Sequence, residues 1–192
     1  FITNPSTGLM GYALASCAGR RGAEVSLISG PVDLPDPYGV KVIRVESALE
    51  MQDAVSKILP AVKVFISSAA VSDYRPVKYE KEKMKKSAEP LTVELVPNPD
   101  ILAWAGKQKG DRIHVGFAAE TSNLKDHAEK KLKEKNLDMI VANDLTRQDS
   151  GFGTDTNKAL LVFKDGSAED LPPMEKDRLA EIIMDRIEHL LK

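Results

Sequence analysis

A single cysteine, Cys17, stands in a chain of 192 residues. Neither an intrachain disulfide framework nor a thiolate metal site can be built from it. Charge of one sign is also missing. The 27 basic and 29 acidic side chains leave a formal charge of -2, which argues against a nucleic-acid partner held by bulk electrostatics. No uninterrupted apolar run approaches the roughly 20 residues of a membrane span, and no secretory signal pattern is visible. A cytoplasmic location without a membrane partner is the expectation. The three histidines, His114, His127 and His189, lack metal-ligand or triad spacing and read as structural. No repeat or low-complexity linker divides the chain, so residues 1–192 are read as one domain with one well-buried core.

What is present is an alternation of strand-like and helix-like segments. Strands are predicted at Glu24 to Ile28, Val40 to Val45, Val62 to Ser68, Arg112 to Phe117, Asp138 to Val141 and Ala159 to Phe163, with a β-rich piece at Leu91 to Val96. Helices are predicted from Gly8 to Arg21, capped by Ser6 or Thr7 and stopped by Gly22, and before Pro60, where Leu49, Val55, Ile58 and Leu59 make an apolar stripe. Asn98-Pro99-Asp100 opens another helix with proline at its first position, and Asn123 to Lys135 forms a charged one. The last helix repeats Leu179, Ile182, Ile183, Ile187, Leu190 and Leu191 at helical spacing. Such alternation implies an α/β fold with a doubly wound, mostly parallel sheet.

Several loops could carry chemistry. Val64-Phe65-Ile66 reads as a buried strand running into Ser67, Ser68 and Ala69 and then Val71-Ser72-Asp73. Groups at a strand's carboxyl end are delivered to the crevice where open α/β sheets bind ligands. Glu80 to Lys86 follows with flexible cations, which suit a phosphate or carboxylate and equally suit a solvated face. Asn4-Pro5-Ser6-Thr7-Gly8-Leu9-Met10-Gly11 leads into a helix N-terminus, a ready anion site that is also ordinary helix punctuation. Phe117, in Gly116-Phe117-Ala118-Ala119-Glu120-Thr121, sits at a predicted strand end and either covers a ligand or joins the core. Lys131 and Lys135 lie four apart on one helical face, aimed at a common polyanion or at solvent.

In this order the pieces resemble one family, phosphopantothenoylcysteine synthetase, the ligase of coenzyme A biosynthesis, in its bacterial CTP-dependent form. The resemblance rests on Ile2-Thr3-Asn4 with Ser6-Thr7-Gly8 and Met10-Gly11, Ser29-Gly30-Pro31, Ala69-Ala70-Val71 with Asp73-Tyr74-Arg75, Lys83-Met84-Lys85-Lys86, Asn98-Pro99-Asp100-Ile101, Gly116 to Thr121 and Ala142-Asn143-Asp144. It implies a Rossmann-like fold with a flap over the site at about residues 74–90, mobile from Tyr74 to Ser87. In the family a first strand and a Gly-rich turn precede the position of Phe1, so the N-terminal strand is expected to be missing here.

The resemblance implies ligation of 4'-phosphopantothenate to L-cysteine through an acyl-cytidylate, with CTP and Mg2+. Asn4 matches the residue that binds and orients the intermediate, and Lys83 the one that stabilises charge in nucleotidyl transfer. Ser67, Ser68, Ala69, Asp73, Pro99, Asp100, Ile101, Leu102, Phe117, Lys131 and Lys135 match nucleotide-binding positions; metal ligands are not identified. The family implies a homodimer and, in many bacteria, fusion to an upstream flavin-dependent decarboxylase. Nothing here resembles that half, so no flavin is expected and Cys17 is not its catalytic cysteine. Two rivals remain from the residues alone: a short-chain dehydrogenase outline in Tyr79 and Lys83, and a nucleotide-binding domain without turnover.

Overall fold

The computed structural model describes residues 4, 6–78, 91–120, 123–144 and 156–192. The first helix, α1 (Leu9–Arg20), is capped by Gly8 in the left-handed region at φ 78° rather than by the Ser6 or Thr7 hydroxyl. A Cβ at Gly8 would stand 2.9 Å from Val32 Cγ1, so both space and backbone demand glycine there. At its far end the Gly22 and Ala23 N–H groups return to the Gly19 and Ala18 carbonyls, and the predicted glycine stop holds.

Strands β1 (Ser26–Ser29) and β2 (Lys41–Arg44) pair in parallel. Helix α2 (Ala48–Ile58) starts where Ser47 accepts the Glu50 N–H, and Pro60 converts its end to a 3-10 turn at Leu59–Ala61. The main sheet then assembles from β3 (Val64–Ser67), β6 (Ile113–Glu120), β7 (Met139–Asp144), β8 (Thr156–Phe163) and β9 (Ala168–Glu175), in that spatial order. Between β3 and β6 come the antiparallel hairpin of β4 (Tyr74–Pro76) with β5 (Leu95–Pro97), and the short α3 (Ile101–Gly106). Helix α4 (Leu124–Glu134) connects β6 to β7, and α5 (Lys176–Leu190) closes the chain.

The α/β expectation therefore holds, with a mixed sheet. β3, β6 and β7 run parallel, and β8 and β9 extend the sheet antiparallel. Among the described residues the β1–β2 pair forms no ladder with the five strands. The sequence pattern does not predict β9, because Pro172-Pro173 argues against a strand. The two prolines lie opposite the single residue Lys158, in a register shift on an edge strand, where a missing N–H leaves no neighbour unpaired.

β7 explains how the layers hold. Met139 and Val141 point to one face and join Leu14, Cys17, Val115, Leu161, Leu179, Ile183 and Ile187, so α1 and α5 cover that side. Ile140 and Ala142 point to the other and meet Leu102, Ala128, Leu132, Leu137 and Val162, so α3 and α4 cover the second side. A strand buried on both faces reads as the continuous apolar run this segment contains. On the outside, α1 and α5 are stapled by Arg20 and Arg21: Arg20 Nη2 lies 2.8 Å from Glu181 Oε1, and Arg21 reaches Glu181, Asp185 and Glu188 at 2.5–2.9 Å. Cys17 beneath them is fully buried, and burial, with Glu181 second, pushes its thiol up to about 11. It is inert packing rather than a nucleophile.

Candidate functional site

The parallel strands β3, β6 and β7 share one carboxyl end, and the loop leaving β3 is gripped there from two sides. Asn4 Nδ2 donates to the carbonyls of Ala70 at 3.1 Å and Val71 at 3.4 Å. Asn98 Nδ2 donates to the Ser72 carbonyl at 2.8 Å, and the Asn98 N–H donates to the Asp73 carbonyl at 2.7 Å. On this loop Ala69 and the Asp73 side chain are exposed. Ser67 ends β3 opposite Gly116, and Ser68 lies against the first turn of α1, where a Cβ on Gly11 would come within 2.9 Å of its Oγ.

Asn98-Pro99-Asp100 does open a helix, but the cap is Asp100 and not Asn98. Asp100 Oδ1 accepts the Ala103 N–H at 2.9 Å, and Ile101 is the first helical residue. Pro99 precedes the cap, and the Asn98 amide is released for the loop contacts above. Burial raises the Asp100 carboxyl, but the Ala103 N–H, the Lys135 ammonium and the Leu102 N–H outweigh it, so the group sits below the usual carboxylate range. Lys135 Nζ lies 2.9 Å from Asp100 Oδ2 and 3.2 Å from Oδ1, which joins two candidate residues 35 positions apart. Ile101 and Leu102 are buried in separate cores, so their main chain, and not their side chains, is what a ligand could meet.

Phe117 is not at a strand end. β6 continues to Glu120, and Phe117 is half-buried against the core under α1 and α5. Gly116 on the opposite face serves the interior: a Cβ there would stand 2.7 Å from Leu137 Cδ1 and 2.8 Å from Leu102 Cδ2. Lys131 is half-buried on α4. Lys83 falls outside the described residues, as do Tyr79 and most of the expected flap; the first residues of that segment are strand β4. The sequence pattern assigns Arg75 no role and Asn98 only that of opening a helix. Arg75 Nη1 donates to the Pro97 carbonyl at 2.5 Å and to Asn98 Oδ1 at 3.3 Å. The one signal in the sequence was their nearness to Asp73 and Asp100.

The other end of the sheet holds a second polar cluster. Lys109 Nζ lies 2.5 Å from Asp138 Oδ1 in a buried pair, and Asp138 Oδ2 accepts the His114 N–H at 2.7 Å. The His114 ring is fully buried, edge-on to Phe65 at 5.4 Å, and among the described residues neither ring nitrogen has a hydrogen-bond partner. Burial, with the Lys109 ammonium second, pushes its pKa down to about 4. Nearby, Phe163, Lys164, Arg186, His189 and Leu190 line an open cavity of about 590 Å³. Among the described residues no three His, Cys, Asp or Glu side chains gather as a metal cage, and no helix is long and apolar enough to cross a membrane.

Comparison with known proteins fits this geometry. The family described as DNA/pantothenate metabolism flavoprotein C-terminal domain matches residues 1–191. The coenzyme A biosynthesis bifunctional protein CoaBC of Bacillus subtilis is 47% identical over 193 aligned positions, covering 100% of this chain and 48% of that protein. Its Escherichia coli K12 counterpart is 44% identical, covering 97% and 47%. The chain thus spans about half the length of these curated relatives. The crystal structure of a CoaBC C-terminal domain superposes with a TM-score of 0.82 at 40% identity, covering 97% of this chain and 84% of that one. A Cab2 mutant solved with phosphopantothenate-cysteine shares the fold at a TM-score of 0.75 and 15% identity, covering 98% and 80%. With a match that runs nearly end to end, the chain belongs to the DNA/pantothenate metabolism flavoprotein C-terminal domain family.

Proposed function

We propose that this chain ligates 4'-phosphopantothenate to L-cysteine in coenzyme A biosynthesis, using CTP. One observation carries the reading: Asn4 and Asn98 both hold the Ala70–Asp73 loop that leaves β3, and Asp100, two residues after Asn98, pairs with Lys135. These contacts join residues far apart in sequence that match the ligase pattern, in a chain 47% identical to a coenzyme A biosynthesis protein. Membership of this family disfavours the dehydrogenase outline.

The chemistry follows from the substrate. A carboxylate is a poor electrophile, because its leaving group would be oxide. In the first step its oxygen attacks the α-phosphorus of CTP, and the P–O bond to the β-phosphate breaks. That releases pyrophosphate and leaves an acyl-cytidylate. The cysteine amine then attacks the acyl carbon, the bond to the cytidylate oxygen breaks, CMP departs, and the nitrogen loses a proton as the amide forms. Positioning and charge stabilisation are what the protein must supply. Asp73 suits the donor groups of the nucleoside, and Lys83, Lys131 and Lys135 suit phosphate oxygens. Lys135 must exchange Asp100 for that partner. In this reading Mg2+ enters with the triphosphate as part of the substrate.

A homodimer belongs to the same proposal. In the β4–β5 hairpin Arg75 and Val96 face inward, whereas Tyr74, Pro76, Leu95 and Pro97 make an exposed outer face without a charged group. A two-stranded hairpin with such a face gains stability by pairing with another surface. A cytoplasmic location and an upstream flavin-dependent partner domain complete the reading.

The experiment separates the half-reactions in the intact protein, with CTP and ATP each supplied as nucleotide. Lys83→Gln should lose pyrophosphate release, because removing one charge stabiliser costs on the order of 2–4 kcal/mol of barrier. Asn4→Asp should keep pyrophosphate release and accumulate acyl-cytidylate, detectable by mass spectrometry, since aspartate only accepts and brings negative charge beside an acyl phosphate. Equal turnover with ATP would overturn the CTP assignment. An unaltered protein that releases no pyrophosphate with either nucleotide would overturn the ligase reading.

A further inference from the structure

Asn98 occupies a junction that neither candidate nucleotide-binding segment explains alone. Its backbone continues the β4–β5 ladder by one step, donating to the Asp73 carbonyl at 2.7 Å. Its side chain turns the same way and donates to the preceding carbonyl, Ser72, at 2.8 Å. Both carbonyls that flank the Ser72–Asp73 linkage are thus held by one residue. The other half of the amide is also used: Oδ1 accepts from Arg75 Nη1 at 3.3 Å, and the same guanidinium nitrogen donates to the Pro97 carbonyl at 2.5 Å. A flipped amide would set oxygen against the Ser72 carbonyl and NH2 against a guanidinium, so only one orientation satisfies both neighbours. Asn98 and Arg75 are half-buried, whereas Asp73 is exposed.

The consequence concerns Asp73. Its carboxylate has a single short side chain of freedom beyond a backbone that Asn98 fixes. Two residues after Asn98 comes Asp100, fixed by its cap bond to Ala103 and its pair with Lys135. We infer that Asn98 is a positioning residue for nucleotide recognition: without touching the nucleotide it sets the spacing between the Asp73 carboxylate and the Asp100–Lys135 pair, and Arg75 locks its amide in the working orientation. This rests on the reading of Asp73 and Asp100 as nucleotide-binding residues. It goes beyond that reading by assigning the geometry to two residues outside the binding set.

Asn98→Asp tests it, because aspartate keeps the shape and the Arg75 contact and loses the donor to Ser72. In the intact protein the KM for CTP should rise roughly tenfold, the scale of one hydrogen bond lost with its half-buried acceptor left unpaired. The kcat at saturating CTP should stay within about threefold, and the KM for cysteine should not move. Arg75→Gln, which leaves the Ser72 contact in place, should give a smaller rise in the same constant. Calorimetric titration of CTP into each variant should follow the kinetic order. An unchanged CTP KM in folded Asn98→Asp overturns the inference, as does a fall in kcat and thermal stability with CTP affinity intact. If Asn98→Asp does not fold, Arg75→Gln decides alone, and an unchanged CTP KM there overturns it. An active, CTP-dependent parent protein with insensitive variants removes only the role of Asn98. A parent without nucleotide-dependent turnover removes the ligase reading and this inference together.

Discussion

Gly106 shows how little freedom some single positions have. It ends α3 against the end of α4, where a Cβ would stand 2.0 Å from the Lys135 carbonyl oxygen and 2.9 Å from its carbon. Backbone cannot step aside as a flexible side chain could, and Asn136 Nδ2 donates to the Gly106 carbonyl at 3.0 Å, which tightens the joint further. Gly106→Ala should therefore cost about 3 kcal/mol in urea unfolding, the upper range for forced overpacking. It should also weaken nucleotide binding, since the same joint fixes Lys135 against Asp100. His114 supplies a pH dependence. Its folded pKa is about 4, below the ordinary value of about 6.5. Between these values the unfolded chain binds a proton that the folded chain refuses, so stability falls as pH drops from 6.5 towards 4 and is unaffected above 6.5. His114→Leu should remove that slope and narrow the gap in stability between pH 7 and pH 4.5 by about 2 kcal/mol, measured by chemical denaturation at both values. Neither effect is legible in the sequence. The Gly106 contact crosses about thirty positions, and a lone histidine in a strand pattern does not announce that both its nitrogens will be unpartnered. Asn98 was misread for a related reason: Asn-Pro at a helix start is a good cap by local rules, but Ser72, 26 positions away, claims its amide.

Elements were more legible than residues, because they depend on periodicity. The apolar repeat from Leu179 to Leu190 predicted α5, and Leu179, Ile183 and Ile187 are buried against the sheet. β6 was predicted too short, since Gly116 and two alanines weaken a strand pattern although they remain paired with β7 out to Glu120. β9 was missed through its prolines. No sequence rule pairs α1 with α5, yet the two helices share the Arg20, Arg21, Glu181, Asp185 and Glu188 network. Arg21 carries three of those contacts. Arg21→Ala should lower the melting temperature by about 3 °C at low ionic strength, and by less at 1 M salt, where screening extends only about 3 Å. Hydrogen bonds from Arg21 first, and from Arg20 second, push the Glu181 carboxyl down to about 2. The contribution is present above the ordinary glutamate pKa of about 4.5 and is lost progressively as pH falls from there to about 2. Acid should therefore act on His114 well before it releases this staple. A melting temperature equal in Arg21→Ala and parent at low salt would remove the network from the stability of α1 on α5.

At the scale of the molecule, the α/β class could be read from order alone, and the family blocks named the candidate residues of the site. What order could not give is the separation of the described strands into a parallel pair, a mixed five-stranded sheet and a two-stranded hairpin, because register and sheet membership are set by packing between distant segments. The hairpin bears most directly on the whole particle. Tyr74, Val77, Leu91, Val93 and Leu95 are each more than two-fifths exposed, a concentration of large apolar groups that a monomer rarely leaves in water. Arg75 on its inner face is committed to Pro97 and Asn98, so the outer face can be altered without cutting the contacts that reach the site. Leu95→Asp combined with Tyr74→Ser should shift the proposed homodimer towards monomer in analytical ultracentrifugation, because burying a carboxylate among apolar groups is strongly unfavourable. Thermal stability of the monomer should fall little, since both side chains are half-exposed already. If the two subunits share the site, turnover should fall with dimer concentration and recover as protein concentration rises. A double variant that remains dimeric at every concentration would remove this face from the interface, and a parent protein that sediments as a monomer at micromolar concentration would remove the dimer.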